Sequence, residues 1–390
     1  MQNVSLPANF DSFGEARQNG FLAIKKLKDE GKKVAGVFCT YTPLELFMAA
    51  GMCHVGLCST SDETIPDAEA HLPRNLCPLI KSSYGFAITD KCPYMYFSDL
   101  VVGETTCDGK KKMYELLSEI KNVHVMQLPN RQDDEASRDL WYKEILALKG
   151  RIEADFGVTI TEESLRAAIG TKNQERALLK ELYELSALCP PPITGQEQTQ
   201  ILFGAQFKFD YEAKLRELRE TIDRIKADYD AGARKVPADA KRVIVTGCPI
   251  GGVTEKIIRV IEESGGVVVA LENCTGAKSV ENPVDESAAD PYRAIADRYL
   301  AIGCSVMSPD TNRYDLLSDL VERFKPDAVI EMTLQACHTY NVESRQVKRV
   351  CEQLGMPFMT VETDYSTSDI AQLKTRVAAF LEMVQCPVSV

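Results

Sequence analysis

Cysteine is the residue type with the clearest capacity for chemistry in this sequence. The chain has thirteen cysteines among 390 residues, and seven of them lie beside an apolar strand-like run or open a helix-like one. These seven are Cys39, Cys77, Cys107, Cys248, Cys274, Cys304 and Cys337. Thiolates are soft ligands that hold iron-sulfur clusters, and both halves of the chain supply them. We therefore expect a metal cofactor held between two domains, with one set of cysteines from each half.

The spacing of the cysteines argues against several common metal and redox sites. No Cys-x-x-Cys pair occurs in the sequence, which counts against a zinc ribbon, a thioredoxin-type dithiol and a ferredoxin-type ligand run. Ligands so far apart in sequence converge only in a folded two-domain frame. Any single cysteine can equally be a small buried apolar residue rather than a ligand. We interpret five in that way, namely Cys53, Cys92, Cys189, Cys351 and Cys386, and leave Cys58 open.

Few other residues are candidates for chemistry. Among the four histidines, His338 stands next to Cys337 and is a candidate proton donor, although a structural hydrogen-bonding role is equally consistent. Glutamates near strand ends can also carry protons, and Glu331 is the second catalytic candidate. The other glutamates in such positions are Glu45, Glu104 and Glu272. The one tight basic run, Lys110 to Lys112, is interpreted as a solvated helix start.

Neither motifs nor composition indicate a nucleotide or nucleic-acid site. Gly247-Cys-Pro-Ile-Gly-Gly252 does not match a dinucleotide fingerprint, and no P-loop sequence occurs. The net charge of -12 and the pI near 5.1 argue against a nucleic-acid surface. The N-terminus lacks a signal-peptide pattern and no apolar run suits a membrane span, so we expect a cytoplasmic protein with no nucleic-acid or membrane partner. In that compartment, abundant cysteine favours metal or redox chemistry over disulfides.

The elements that must position these residues alternate in both halves of the chain. Strand-like apolar runs occur at 34–38, 54–57, 100–102, 123–128, 242–246, 267–271, 328–331 and 359–361. Helix-like patterns separate them, the last two at 343–354 and 369–384. This alternation predicts an α/β protein with two Rossmann-like parallel-sheet domains, at 1–132 and 241–390. Residues 133–240 have long helical patterns and are predicted to form a helical connector.

The two halves of the sequence look like copies of each other in the spacing of their cysteines and strand-like runs. The interval from Cys77 to Cys107 is 30 residues and that from Cys304 to Cys337 is 33. An aspartate that precedes a strand-like run stands eight residues before Cys107, and another stands ten before Cys337. In an open parallel sheet, ligands bind beyond the carboxyl ends of the strands, where helix N-termini offer amides and a favourable dipole. We expect the cysteines at those ends.

Several long motifs resemble the 2-hydroxyacyl-CoA dehydratase and benzoyl-CoA reductase superfamily. The likeness is carried by Phe38-Cys-Thr-Tyr-Thr-Pro-Leu-Glu45, by Ala49-Ala-Gly51 and by Leu72-Pro-Arg-Asn-Leu-Cys-Pro-Leu-Ile-Lys-Ser-Ser-Tyr-Gly85. Further motifs look like the double-cubane cluster protein branch of that superfamily, and they are at 103–113, 246–252, 272–278 and 362–369. The resemblance extends over nearly the whole chain.

The resemblance implies two flavodoxin-like domains, a homodimer and an [8Fe-9S] cofactor of two four-iron cubanes joined by a bridging sulfide. Each cubane would take three protein thiolates, so six of the seven cysteines are expected to be ligands. In the dehydratase relatives a single cubane is held by cysteines that match Cys77, Cys107 and Cys337. Which of the other four complete the second cubane stays open, with Cys304 favoured by its matched interval to Cys337.

The function that the resemblance implies is ATP-dependent reduction of a small molecule such as acetylene, hydrazine or azide. A separate iron-sulfur activator ATPase would supply low-potential electrons, because the chain has no nucleotide site of its own. The alternative is a subunit of a heterodimeric 2-hydroxyacyl-CoA dehydratase that acts on a CoA thioester with a single [4Fe-4S] cubane. Under that alternative, several back-half cysteines would have no role as ligands. A two-lobe periplasmic solute binder would need a leader peptide and would not need thirteen cysteines.

Overall fold

Two four-stranded parallel sheets organise the computed structural model, which describes residues 14–248 and 251–384. The strands in the described chain are β1 (Val34–Val37), β2 (Cys53–Gly56), β3 (Leu100–Glu104), β4 (Val123–Met126), β5 (Lys241–Gly247), β6 (Gly266–Glu272), β7 (Ala328–Leu334) and β8 (Phe358–Thr363). Their order is β2-β1-β3-β4 in the front half and β6-β5-β7-β8 in the back half. Every neighbouring pair is parallel. The predicted α/β fold of two parallel-sheet units is confirmed.

Helices cover the sheets and fill the interval between the two halves. Those in the described chain are α1 (Gly14–Asp29), α2 (Leu44–Ala49), α3 (Ile65–Ala68), α4 (Pro78–Ile88), α5 (Pro93–Phe97), α6 (Asp108–Leu117), α7 (Glu135–Phe156), α8 (Glu162–Glu184), α9 (Gly195–Gly204), α10 (Tyr211–Asp230), α11 (Gly251–Glu263), α12 (Ala277–Val280), α13 (Pro291–Leu300), α14 (Thr311–Phe324), α15 (His338–Gln353) and α16 (Ile370–Met383). Helices α7 to α10 occupy the stretch predicted as a connector. Within the described ranges, no helix is both long and apolar enough to cross a membrane.

The strands are buried because parallel sheets are covered on both faces. All residues of β3, β6 and β7 are buried, as their nearly continuous apolar sequences require. Buried glutamates enter these strands, Glu104 and Glu272 at the carboxyl ends of β3 and β6 and Glu331 in the middle of β7. The Glu104 and Glu272 carboxylates therefore lie close to the sheet edges at which ligands of this fold type bind.

One backbone contact is repeated at the start of the third strand of each sheet. The Asp99 carboxylate accepts a hydrogen bond from the Val34 amide at 2.9 Å, and the Asp99 amide donates to the Val34 carbonyl at 2.8 Å. Asp327 and Arg242 make the matching pair at 2.7 and 2.8 Å. Each aspartate thereby aligns the third strand with the first. The two aspartates noted in the sequence repeat are structurally equivalent.

The connector helices pack into both halves. Trp141 of α7 and Ile295 of α13 share a buried core with Val37 of β1, although α13 belongs to the back half in sequence. Helix α8 contacts α2 of the front half and α12 of the back half. The connector is therefore part of a continuous apolar interior, and the domain boundaries at 132/133 and 240/241 stay a prediction.

Candidate metal centre

A cavity of about 610 Å³ lies where the carboxyl ends of both sheets meet. Its lining includes Val37 and Phe38 after β1, Cys248 after β5 and Leu334 at the end of β7. All seven cysteines of the expected ligand set line this cavity, and Cys58 and Cys92 line it as well. The fold thus brings together thiols that are up to about 300 residues apart in sequence. Cys386 lies outside the described residues.

Four of the cysteines follow the central strands, where the strand order reverses. Cys39 and Cys107 follow β1 and β3, while Cys248 and Cys337 follow β5 and β7. In an open parallel sheet the loops on either side of such a switch point separate and leave a crevice. The two crevices open into the same cavity, since all four cysteines line it.

Four of the cavity cysteines are N-caps of helices: Cys92 precedes α5, and the other three belong to the expected ligand set. Cys77, Cys107 and Cys337 precede α4, α6 and α15 directly. Unpaired amides and the helix dipole at such positions favour a thiolate over a thiol. Helix α15 begins five residues earlier than its predicted start at residue 343, because the polar first turn His338-Thr-Tyr-Asn341 carries no apolar period. Only this earlier start gives Cys337 its capping position.

A first thiol group consists of Cys77, Cys248 and Cys337. Cys248 and Cys77 donate hydrogen bonds to Cys337, which hold the pKa of Cys337 well below its ordinary value. The hydrogen bond to Cys337 is the main cause that raises the pKa of Cys77, and burial adds to it. For Cys248, burial is the main cause of a raised pKa, and the hydrogen bond to Cys337 adds to it. Cys107 adjoins this group, and Cys337 is among the charges that act on it. Cys337 is therefore the thiol of this group most inclined to ionise.

A second thiol group consists of Cys39, Cys274 and Cys304. Burial raises the pKa of Cys39, and the carboxyl of Glu104 and the thiol of Cys274 add to the effect. Burial also raises the pKa of Cys274, to about 11. The Sγ of Cys304 lies 3.6 Å from the hydroxyl oxygen of Tyr340. Each thiol group combines front-half and back-half cysteines, because both sheets direct their carboxyl ends into one cavity. Which of these cysteines act together as ligands stays a prediction.

Two buried lysines accompany the thiols. Lys110 is 7% exposed, and its ammonium lies 3.4 Å from the Phe38 carbonyl oxygen and 3.9 Å from Cys58 Sγ. Lys278 pairs with Glu272 at 3.0 Å and donates to the Tyr340 hydroxyl at 3.0 Å. Positive charges beside several thiolates lower the cost of collecting negative charge in a buried site. The expected solvated basic run was wrong for Lys110, which faces inward one helical turn after Cys107.

The two predicted proton carriers have different surroundings. His338 is exposed and lines the cavity beside Cys337. Glu331 is fully buried, accepts a hydrogen bond from Arg313 at 3.1 Å and is not among the described residues that line the cavity. Burial raises the pKa of Glu331, although Arg313 opposes this. The structure therefore places only His338 of this pair at the cavity; its catalytic role stays a prediction.

The residues present fit a cluster better than a single metal ion. Among the described residues, no three histidine, cysteine or acidic side chains are close enough together to hold one ion. Each thiol ligand of a four-iron cubane binds a different iron atom, so the thiols need not converge on one point. Seven of the nine thiols in this cavity, three of them at helix N-termini, are a suitable donor set for such a cluster.

The sequence patterns missed several cavity residues and left Cys58 undecided. Cys58 follows β2 and donates a hydrogen bond to the Phe38 carbonyl at 2.8 Å. Cys92, interpreted as structural, also lines the cavity. Lys172, Glu175 and Arg176 line it from α8, which was predicted only as a connector helix. A lysine, a glutamate and an arginine at positions i, i+3 and i+4 share one helix face, but this pattern also occurs on solvent-exposed helices.

Comparisons with known proteins place the chain in a family. Residues 39–384 match the family described as 2-hydroxyglutaryl-CoA dehydratase, D-component. The chain is 56% identical over 382 residues to the Escherichia coli K12 protein named "Putative dehydratase subunit YjiM", covering 98% of this chain and 99% of that protein. It is 24% identical over 363 residues to the (R)-phenyllactyl-CoA dehydratase beta subunit of Clostridium sporogenes, covering 92% and 94%.

A reductase component is similar to the chain as well. One of the benzoyl-CoA reductase subunits of Thauera aromatica is 22% identical over 378 residues, covering 94% of this chain and 95% of that protein. The expected superfamily is thereby confirmed. Because the family match extends over most of the sequence and includes the cavity cysteines, the chain belongs to the 2-hydroxyglutaryl-CoA dehydratase D-component family, whose relatives are dehydratase and reductase subunits.

Proposed function

We propose that this chain is an iron-sulfur reductase that holds a double-cubane [8Fe-9S] cluster in the cavity between its two sheets. The observation that carries the proposal is the presence of nine thiols in one cavity, seven of which form two interacting groups of three with Cys107 beside the first. A single cubane would employ only three of them. Two cubanes joined by a sulfide employ six.

The proposed ligands form two sets of three. Cys77, Cys107 and Cys337, each of them a helix N-cap, would hold one cubane, as the resemblance implies. The second thiol group, Cys39, Cys274 and Cys304, would hold the other, because these three thiols act on one another electrostatically. The seventh thiol, Cys248, would remain a hydrogen-bond donor beside Cys337.

The bound cluster would supply low-potential electrons one at a time to a small molecule. The side chains of this protein provide the surroundings for that chemistry. Lys110 and Lys278 would offset the negative charge of the thiolates, and Tyr340 would direct its hydroxyl toward Cys304. His338 would hold a proton at the cavity wall.

The electrons would come from a separate activator, an iron-sulfur ATPase. Electrons of very negative potential require coupling to hydrolysis, and the sequence contains no P-loop of its own. The working form of the protein would be a homodimer in the cytoplasm. A second candidate is a dehydratase subunit with one cubane that acts on a CoA thioester, as the names of its relatives suggest.

Iron and sulfide analysis of anaerobically purified protein tests the proposal. About eight irons per chain are expected for two cubanes, and about four would favour the dehydratase candidate. Cys304→Ser should remove about half of the iron, because that thiol is assigned to the second cubane alone. Cys189→Ser is the matched control, since Cys189 is exposed and lies outside the cavity lining. Colourless protein prepared without oxygen would contradict both candidates.

A further inference from the structure

Part of the cavity wall is formed by buried cations that the thiol chemistry does not use. Four residues, here called the basic wall, line the cavity from the connector and from α13. They are Lys172 and Arg176 of α8, Lys214 of α10 and Arg298 of α13. Lys172 is 13% exposed, and the other three are at most 5% exposed. Water therefore contributes little to the stabilisation of these charges.

Two carboxylates serve three of these cations. Glu175 accepts hydrogen bonds from Lys172 at 2.7 Å and from Lys214 at 2.9 Å, so one negative charge is shared by two ammonium groups. Glu45 accepts from Arg176 at 2.6 Å. Burial alone raises the pKa of Glu175, but the two lysines outweigh it and hold that pKa well below its ordinary value. Both carboxylates are thus ionised, and their negative charges are already paired with these three cations.

The fourth cation has no carboxylate partner in the described part of the chain. Arg298 donates to the main-chain carbonyls of Asn282 and Ser279, both at 2.8 Å. Burial and the charge of Arg176 lower the pKa of Arg298 to about 10. The Nε of Arg176 is buried and makes no hydrogen bond within the described residues. Four cations therefore meet two carboxylates, which leaves an excess of two positive charges.

The neighbouring histidine responds to this excess. His54 lines the cavity, and burial followed by the charges of Lys172 and Lys214 lowers its pKa to about 3. Its Nε2 lies 2.6 Å from the hydroxyl oxygen of Tyr211. Buried charges in proteins are ordinarily paired, because an unpaired one loses its hydration without compensation. A neutral imidazole beside unbalanced cations indicates a site at which negative charge is favoured.

The basic wall is distinct from the cations that accompany the thiols. The strongest electrostatic partners of Lys110 and Lys278 include Cys39, Cys58, Cys274 and Cys304. Lys172, Arg176 and Arg298 have their strongest electrostatic interactions among themselves and with Lys214, the two carboxylates and Tyr299. The leading charge contacts of the basic wall therefore differ from those of the two lysines beside the thiols.

We infer that the basic wall binds an anionic group of the substrate, a carboxylate or compact oxyanion, in the same cavity that the thiols line. Paired ammonium and guanidinium groups are the usual protein donors to such anions, and a charge-assisted hydrogen bond is stronger than a neutral one. This inference deepens the proposed function and rests on it, since it concerns the molecule that the cluster would reduce. The anion is either a free small molecule or a phosphate of a CoA thioester.

Isothermal titration calorimetry on the anaerobic full-length holoprotein tests the inference. Sodium acetate, sodium phosphate and coenzyme A are titrated separately at constant ionic strength, and the iron content of each sample is measured first. Saturable binding of at least one probe is expected. Lys214→Met should weaken it about tenfold or more through loss of one charged donor. Lys143→Met on the exposed face of α7 is the matched control and should leave it unchanged.

A second substitution changes the charge in the opposite direction. Glu175→Gln removes the shared carboxylate and should tighten anion binding several-fold, whereas a purely structural ion-pair network predicts no gain. This variant also keeps the inference testable if Lys214→Met does not fold. Binding of acetate or phosphate without coenzyme A would identify a free small anion. Coenzyme A binding that phosphate displaces would identify a CoA thioester.

Two results would overturn the inference. One is the absence of saturable binding by all three probes, and the other is an unchanged or weaker affinity in Glu175→Gln. With about eight irons per chain still present, either result would remove the anion site and leave the proposed cluster intact. Normal anion binding in protein that contains no iron would keep the anion site and contradict the proposed cluster.

Discussion

The front and back halves have the same strand order, but the buried glutamates of their strands have different partners. In the back half, Arg313 pairs with Glu272 and with Glu331 at 3.1 Å each, and Lys278 pairs with Glu272 at 3.0 Å. In the front half, Glu104 accepts a hydrogen bond from Thr42, and its Oε2 makes none within the described residues. The same topology thus supports a neutralised ion-pair network on one side and an unpaired carboxyl on the other.

The difference changes the protonation of the two halves. Burial raises the pKa of Glu272, but Lys278 and Arg313 outweigh it and hold that pKa below its usual range. Burial raises the pKa of Glu104 to about 7, since Thr42 and Lys110 oppose it only partly. The back half therefore provides a fixed scaffold for its cysteines. The front half places a carboxyl that can hold a proton near Cys39.

The largest expected effect tests whether the ligands follow the repeat or the thiol groups. Cys248 and Cys274 follow β5 and β6, as Cys39 and Cys58 follow β1 and β2. Because Cys274 belongs to the second thiol group, Cys274→Ala should lose about half of the iron, while Cys248→Ala should retain nearly all of it. Anaerobic iron analysis of both variants provides the measurement. If instead Cys248→Ala loses about half of the iron and Cys274→Ala retains it, the ligands follow the structural repeat, in which Cys248 is the counterpart of Cys39.

The next effect tests the scaffold of the back half. Arg313 is 1% exposed and pairs with Glu272, Glu331 and Glu343. Arg313→Leu leaves these carboxylates buried without their shared partner, and the free energy of unfolding should fall by about 3–5 kcal/mol.

Denaturant unfolding under anaerobic conditions measures the change. Arg349→Leu on the exposed face of α15 is the control and should stay within about 0.5 kcal/mol of the unsubstituted protein. A loss of less than about 1 kcal/mol for Arg313→Leu would mean that the network adds little and that the contrast between the halves is not one of stability.

The smallest effect tests the carboxyl of the front half. The folded pKa of Glu104, about 7, lies above the value near 4.3 expected in the unfolded chain. The folded state therefore binds the proton more tightly, and its stability falls as the pH rises from about 4.3 to about 7, then levels off. Between pH 5.5 and 8 the loss should be about 2 kcal/mol.

Thermal unfolding at several pH values, compared with Glu104→Gln, isolates this contribution. The variant has no proton to release at that site, so its midpoint should depend less on pH than that of the unsubstituted protein. Glu119→Gln, at an exposed site of the same half, should retain the full dependence. Identical pH profiles for the Glu104 variant and the unsubstituted protein would show that Glu104 is ionised in both the folded and unfolded states.

Much of the fold was predictable from local patterns, and the errors have local causes. The apolar runs gave strands within a few residues because buried parallel strands require nearly continuous apolar sequence. The start of α15 was missed because its first turn is polar. The solvated interpretation of Lys110 failed because three consecutive lysines do not reveal which of them the helix turns inward.

The sequence by itself determined the two parallel-sheet units, the helical stretch between them and seven of the nine cysteines that line the cavity. Periodicity and residue type are local properties, so they can be recognised without the folded chain. Only the tertiary structure decided that Cys77 and Cys248 meet Cys337 and that Cys39 meets Cys274. It also decided that four connector and back-half cations lie together with only two carboxylates, which pair with three of them. Such groupings depend on how two sheets oppose their carboxyl ends, and no local pattern records that arrangement.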